Sequence, residues 1–293
     1  MDTPAIEIGL PVALAIIMFG LGLALTGADF VRVGRYPRAA LLALGTQIVL
    51  LPLLCFGLVV LFDLNPVLAV GMMLLAASPG GTTANLFSHL ARGDVALNVT
   101  LTAINSVLAV LTIPIVVNLS VRYFMGSSSD LALPPMEVLR VVALVLAPVA
   151  IGMFVRARFR QFADRMERPV KIGSAVVLAG VIVVALSQAW DFFLENVLLV
   201  GSVSLLLCGL SMLLGFWVPR LAGVGWRQSV ASTMEVGMHN ATLAIFIALE
   251  LMRSADIGVA PGIYGVLMFL PATVAAYGFA ARSRSRAASV SST

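Results

Sequence analysis

The chain has 293 residues, of which 60% are apolar and only 11% charged, with a formal net charge of +4 and a mean hydropathy of +1.06. A soluble domain carries about 25% charged residues, so the composition excludes a water-covered globule and indicates an all-α, polytopic integral membrane protein. The excess of positive charge is no nucleic-acid signal, because it is sorted along the chain as a membrane would sort it.

At about 20 residues per crossing, apolar runs predict nine transmembrane helices, near 5–26, 39–61, 66–91, 95–119, 136–155, 170–189, 196–218, 228–252 and 259–280. The N-terminus, Met1-Asp2-Thr3-Pro4, offers neither a basic region nor a small-residue cleavage site, so the first run is expected to be a span and not a cleavable signal. Cys55 and Cys208 lie in apolar runs and read as small core hydrophobes. The longest linker, 120–135, holds Gly126-Ser127-Ser128-Ser129-Asp130 and Pro134-Pro135. It divides a first repeat, 1–119, from a second, 136–280. The Arg- and Ser-rich tail, 281–293, is expected to be disordered and able to touch anionic lipid.

Orientation follows from the basic residues. Arg32, Arg35 and Arg38 lie in the first linker, Arg92 in the third, and Arg156, Arg158, Arg160, Arg165, Arg168 and Lys171 in the fifth. Arg220 and Arg227 lie in the seventh, and Arg282, Arg284 and Arg286 in the tail. Even-numbered linkers carry Asp63, Asp130, Asp191, Glu195 and Asp256 instead. Nine spans with the N-terminus outside and the C-terminus cytoplasmic satisfy this alternation. Trp190, Trp217 and Trp226 fall at span ends, as interfacial aromatics should.

Two spans are interrupted. The third contains Ser78-Pro79-Gly80-Gly81-Thr82-Thr83-Ala84-Asn85, and no helix runs undisturbed through Pro-Gly-Gly. The eighth contains Glu235-Val236-Gly237-Met238-His239-Asn240. A break at membrane depth survives only where its freed backbone groups are buried in protein or line a polar cavity. A carboxylate at that depth costs about 2.5–3.5 kcal/mol even on lenient scales, so Glu235 is expected to face an ion, a cavity or a partner. Paired breaks in corresponding places of two halves are the pattern of an inverted-repeat secondary transporter. Half-helix N-termini would favour an anion and the opposing carbonyl ends a cation.

The polar residues near the breaks are Gln47, Thr82, Thr83, Asn85, Asn98, Thr102, Asn105, Glu235, His239, Asn240 and Thr242. They offer hard oxygen ligands and one formal negative charge, which suits Na⁺ or a proton better than a transition metal. For Thr102 and Asn105 alone, interhelical hydrogen bonding is the competing role. Asn98 equally suits a helix cap, and Asp94 with Arg92 reads as a surface pair.

The run from Ser78 to Asn85, the following His89-Leu90-Ala91-Arg92-Gly93-Asp94-Val95-Ala96-Leu97 and Thr100-Leu101-Thr102, and the Glu235–Asn240 motif resemble the bile acid:sodium symporter family. Met18-Phe19-Gly20-Leu21-Gly22-Leu23 and Gln47 before Pro52 add to the resemblance, which covers nearly the whole chain. It implies an inverted-repeat fold of core and panel domains with two crossing discontinuous helices. Bacterial members have ten spans, so nine here correspond to a fold without the first, as in animal members. It further implies a multi-pass protein of the bacterial inner (plasma) membrane.

By the same resemblance, one sodium site draws on Ala84, Asn85, Asn98, Thr102 and Glu235, and a second on Gln47, Glu235, Val236, Met238 and His239. Substrate contacts fall at Gly81, Thr82, His239 and Asn240. Three positions depart from the pattern. Ala84 stands where a serine is common, Asn98 replaces a serine but keeps a carbonyl oxygen, and His239 replaces a glutamine. Neutral imidazole has a single nitrogen acceptor and the protonated ring none. His239, with a free-imidazole pKa of about 6.5, either titrates beside Glu235, making a proton the coupling ion, or stays neutral with the second cation lost.

The expectation is a secondary active transporter, not an enzyme, that couples sodium to symport of a small organic anion by alternating access. Bile acids, keto acids, pantoate and similar carboxylates are the implied substrates. Its partners are the anion, Na⁺ and membrane lipid, with no nucleic acid and no obligate protein partner. The competing readings are a proton-coupled or uncoupled carrier or exporter and, from another class, a membrane metabolite receptor.

Overall fold

A computed structural model describes residues 4–126 and 135–291, and all regular structure among them is helical. Half of the expected central linker 120–135, residues 127–134, lies outside the described residues. The apolar runs of the sequence fall on one helix or on consecutive helices, taken here in chain order. The first is α1 (Pro4–Ala24), which turns by 71° into the short α2 (Gly27–Val31). Asp29 fixes that turn. It accepts the Thr26 N–H at 2.8 Å and pairs with Arg32 at 2.7 Å.

The second span is α3 (Pro37–Gly45), a π-helical turn over Thr46–Leu50, and α4 (Leu51–Leu61). The wide turn has an identifiable cause: Pro52 lacks an N–H and its ring crowds the carbonyl one turn earlier. Then come α5 (Pro66–Ala77), α6 (Thr82–Leu90) and the 30-residue α7 (Val95–Phe124). The second half comprises α8 (Pro135–Arg158), α9 (Arg160–Gln188), α10 (Trp190–Leu221), α11 (Trp226–Gly237), α12 (Ala241–Phe246), α13 (Ala255–Leu267) and α14 (Phe269–Ser291). A second π-helical turn, Ile247–Leu251, follows α12.

Four segments, Pro37–Leu61, Val95–Phe124, Trp190–Leu221 and Ala255–Ser283, are each long and apolar enough to cross a membrane. Large apolar side chains such as Leu41, Leu198, Leu221 and Val274 point outward, as they must where the solvent is hydrocarbon. The protein is a multi-pass membrane protein. The interior is equally apolar, built on Leu68, Met72, Leu74, Leu75, Phe246 and Tyr264, all fully buried.

The helices pack densely throughout, with α9 against α13 and α7 against α8 joining α8 and α9 to the rest. α1 lies along α8, and both contact α9. Their closest approach is at Gly22 and Gly152: a Cβ on Gly22 would overlap the Val149 backbone, and one on Gly152 the Phe19 carbonyl. Small residues let membrane helices approach this way. α5, α7, α10, α11 and α13 also gather together.

Three details differ from expectation. α9 begins at Arg160, ten residues before the expected span, because its charged first turns extend the helix beyond the apolar run. The last helix continues to Ser291, where a disordered tail was expected; Ala and Arg are good helix formers and extend α14 from its apolar part. Asp94 is no surface partner of Arg92 but the N-cap of α7, its carboxylate accepting the Leu97 N–H at 3.0 Å. Asn98 is thereby released from capping.

Candidate ion and substrate site

α5 stops at Ala77 and α6 starts at Thr82, while α11 stops at Gly237 and α12 starts at Ala241. The two intervening stretches are extended and meet. Gly80 and His239 pair as an isolated antiparallel bridge, and the Asn240 N–H donates to the Pro79 carbonyl at 2.8 Å. Both breaks are therefore real, and they cross. The freed carbonyl of Gly237 is also satisfied. It accepts from the Tyr264 hydroxyl at 2.9 Å and from Cys208 Sγ at 3.4 Å. Asn240 caps α12 through its side-chain oxygen, which accepts the Leu243 N–H at 3.1 Å.

Glu235 points inward and is 1% exposed. Its Oε2 accepts from the Thr102 hydroxyl at 2.6 Å and from Asn98 Nδ2 at 3.2 Å. Asn98 Nδ2 also donates to the Ala231 carbonyl at 3.1 Å, tying α7 to α11. A Cβ on Gly80 would overlap the Glu235 carboxyl, so this glycine is what allows the carboxylate against the crossing. Asn105, buried on α7, and the Gly80 main chain also lie within reach of this carboxyl. Oε1 of Glu235 and Oδ1 of Asn98 are buried with no hydrogen-bond partner among the described residues. Buried oxygens left unpaired are costly. One is a carboxylate oxygen and the other an amide oxygen, both of the hard type that suits Na⁺.

The second cluster is different in chemistry. Gln47, on the π-helical turn, donates from Nε2 to the Ser78 carbonyl at 3.1 Å and lies 3.4 Å from His239 Nδ1. The His239 ring tilts against Tyr264, with centroids 5.3 Å apart. Gln47 Oε1 and His239 Nε2 are buried without a partner among the described residues. The set offers one amide oxygen, and an imidazole nitrogen where Na⁺ favours oxygen, so it fits that ion poorly. Val236 and Met238 flank the crossing and are fully buried.

A cavity of about 300 Å³ opens beside the crossing. Thr82 and Asn85 of α6 line it, with Gly20 of α1, His89, Arg156 and Val170. Gly81 contacts the second break, its Cβ position lying 3.8 Å from the His239 carbonyl. The residues read from sequence thus sort into three places. Glu235, Asn98 and Thr102 form one cluster, Gln47 and His239 another, and Thr82 with Asn85 face the cavity. Asn85 is thus grouped with the cavity, and the His239 ring is buried away from it. Tyr264, Cys208 and Arg156 were missed. A tyrosine or cysteine in an apolar run reads as core, and a basic residue in a basic linker reads as a topology signal.

A sequence profile described as the sodium bile acid symporter family matches residues 11–196. An uncharacterised sodium-dependent transporter of Bacillus subtilis is 31% identical over 235 residues, covering 80% of this chain and 72% of its own. A probable chloroplastic sodium/metabolite cotransporter of Arabidopsis thaliana is 30% identical over 243 residues, 82% of this chain and 58% of its own. The human ileal sodium/bile acid cotransporter is 28% identical over 236 residues, 80% of this chain and 67% of its own. With two crossed helix breaks and a buried glutamate against them, the chain belongs to the sodium bile acid symporter family.

Proposed function

We propose that the chain is a sodium-coupled symporter that moves a small organic anion across a bacterial plasma membrane by alternating access. Membership of the family makes it a transporter and not an enzyme. The observation that carries the reading is the crossing: a main-chain bridge at Gly80 and His239 laid against a buried Glu235 with an unsatisfied oxygen.

One sodium ion is held by Glu235, Asn98 and neighbouring oxygens of the crossing, with Thr102 steadying the carboxylate. Neutralising Glu235 removes the cost of an unpaired charge at bilayer depth. The anion docks at Thr82 and Asn240, the first residue of α6 and the cap of α12, where half-helix N-termini present N–H groups. The nine helical units form nine spans in two repeats, 1–119 and 136–280, with the N-terminus outside. α1, α8 and α9 act as the panel and the remaining spans as the core, and their relative movement exposes the cavity on alternate faces. Gln47 and His239 hold each other by a hydrogen bond, so the second sodium of the family pattern is absent.

The test is counterflow in proteoliposomes with labelled pyruvate, pantoate or cholate, with and without sodium. Sodium-dependent exchange that Glu235→Gln abolishes supports the reading. Binding without counterflow makes the protein a receptor, and exchange driven equally well without sodium removes the coupling. Uptake driven by a pH gradient, lost in His239→Gln, supports a proton in the coupling instead.

A further inference from the structure

Arg156 has a second task beyond marking topology. It lies in the last turn of α8 and lines the same cavity as Thr82 and Asn85. Its Nη1 donates to the Leu23 carbonyl at 3.1 Å, at the end of α1, and pairs with Asp164 Oδ1 of α9 at 3.2 Å. One nitrogen therefore staples three helices. Neither Nη2 nor Nε hydrogen-bonds among the described residues. A guanidinium is a planar fork of five donors that matches a carboxylate bidentately.

The pairing with Asp164 is weakly held. The Asp164 side chain is 53% exposed and that of Arg156 20%. A pair with one solvated partner contributes little and exchanges readily for a better-placed carboxylate. The cavity, at about 300 Å³, lies at the lower end of small-molecule pockets, which favours a compact solute. Thr82 and Asn85, which line the cavity with Arg156, carry hydroxyl and amide groups but no negative charge. Of the charged or titratable groups lining it, His89 is the other one, and it sits one turn beyond Asn85 on α6.

We infer that Arg156 is the anion-recognising residue of the transport cavity, and that a small substrate carboxylate replaces Asp164 on its guanidinium. The inference rests on the transport reading and names its substrate class, a compact monocarboxylate. Asp164 acts as an internal competitor. It keeps the guanidinium in place when the cavity holds no substrate and is displaced when one enters. A purely structural staple predicts that losing either partner weakens the protein in the same direction. Competition predicts opposite signs.

The experiment measures binding to the purified full chain in sodium, by thermal shift and calorimetry, with pyruvate and pantoate as probes, each against its primary amide. The wild type should bind the acid and not the amide. Arg156→Gln should weaken the acid about tenfold or more, with Arg156→Lys intermediate. Asp164→Asn should tighten it about two- to fivefold. Binding in the wild type that Arg156→Gln leaves unchanged, or an Asp164→Asn that weakens it, overturns this inference alone. If Arg156→Gln proves unstable, the sign of the Asp164→Asn effect decides. No binding of either acid by the wild type overturns this inference, while sodium-dependent counterflow of cholate would leave the transport reading standing.

Discussion

The two polar clusters at the crossing, one around Glu235 and one around His239, use their buried polar groups in opposite ways. Around Glu235, donors converge on one carboxylate oxygen and leave the other, with Asn98 Oδ1, unspent. Around His239, Gln47 is drawn to the imidazole and to the Ser78 carbonyl. The first cluster keeps hard oxygens without a hydrogen-bond partner among the described residues, which is what the proposed sodium site needs. The second has turned inward, and a nitrogen stands where an oxygen would be needed. On the proposed reading, a single substitution at the second motif changes how many cations the crossing holds while its backbone stays intact.

The largest expected effect comes from the charged side of this contrast. Glu235→Gln keeps the shape but removes the charge, and sodium affinity should fall roughly a hundredfold or more, read as loss of sodium-dependent uptake and of the sodium-induced rise in melting temperature. Gly80→Ala should come next. Its methyl would overlap the Glu235 carboxyl, an overpacking worth about 1–3 kcal/mol, so melting temperature and sodium response should drop together. Thr102→Val removes the 2.6 Å donor to Oε2 and should weaken sodium about tenfold with little change in fold, as checked by titration calorimetry. His239→Gln is the mildest and sharpens the comparison most. It should leave maximal uptake near wild type and raise the sodium Hill coefficient from about 1 toward about 2. A coefficient that stays at the wild-type value would sink the contrast between the clusters.

Much of this arrangement was legible in the residues. Pro79-Gly80-Gly81 cannot continue a helix, and a lone glutamate among apolar residues demands a partner; both features produced the crossing and its buried acid. The apolar runs all fall on helices, four of which lie in segments long and apolar enough to cross a membrane, because hydrocarbon imposes length and polarity on any crossing segment. What the residues did not reveal depends on distant contacts. Nothing local distinguishes Tyr264 from a core tyrosine, yet its hydroxyl caps the Gly237 carbonyl. Gly237 read as a helix breaker, but the Cys208 thiol that meets its carbonyl lies on α10. Asn98 had two equally good local roles until Asp94 took the cap and freed it for α11. Helix ends were blurred where charge continues a helix past the apolar run, as at Arg160 and beyond residue 280.

The junction between the two broken spans is stitched by peptide groups: Asn240 N–H to Pro79 carbonyl, and Gly80 beside His239. Such a seam carries no side-chain signature beyond the demand for glycine at one point. Neighbouring side chains can therefore be exchanged without unpicking the join that keeps both helix ends aimed at the same spot.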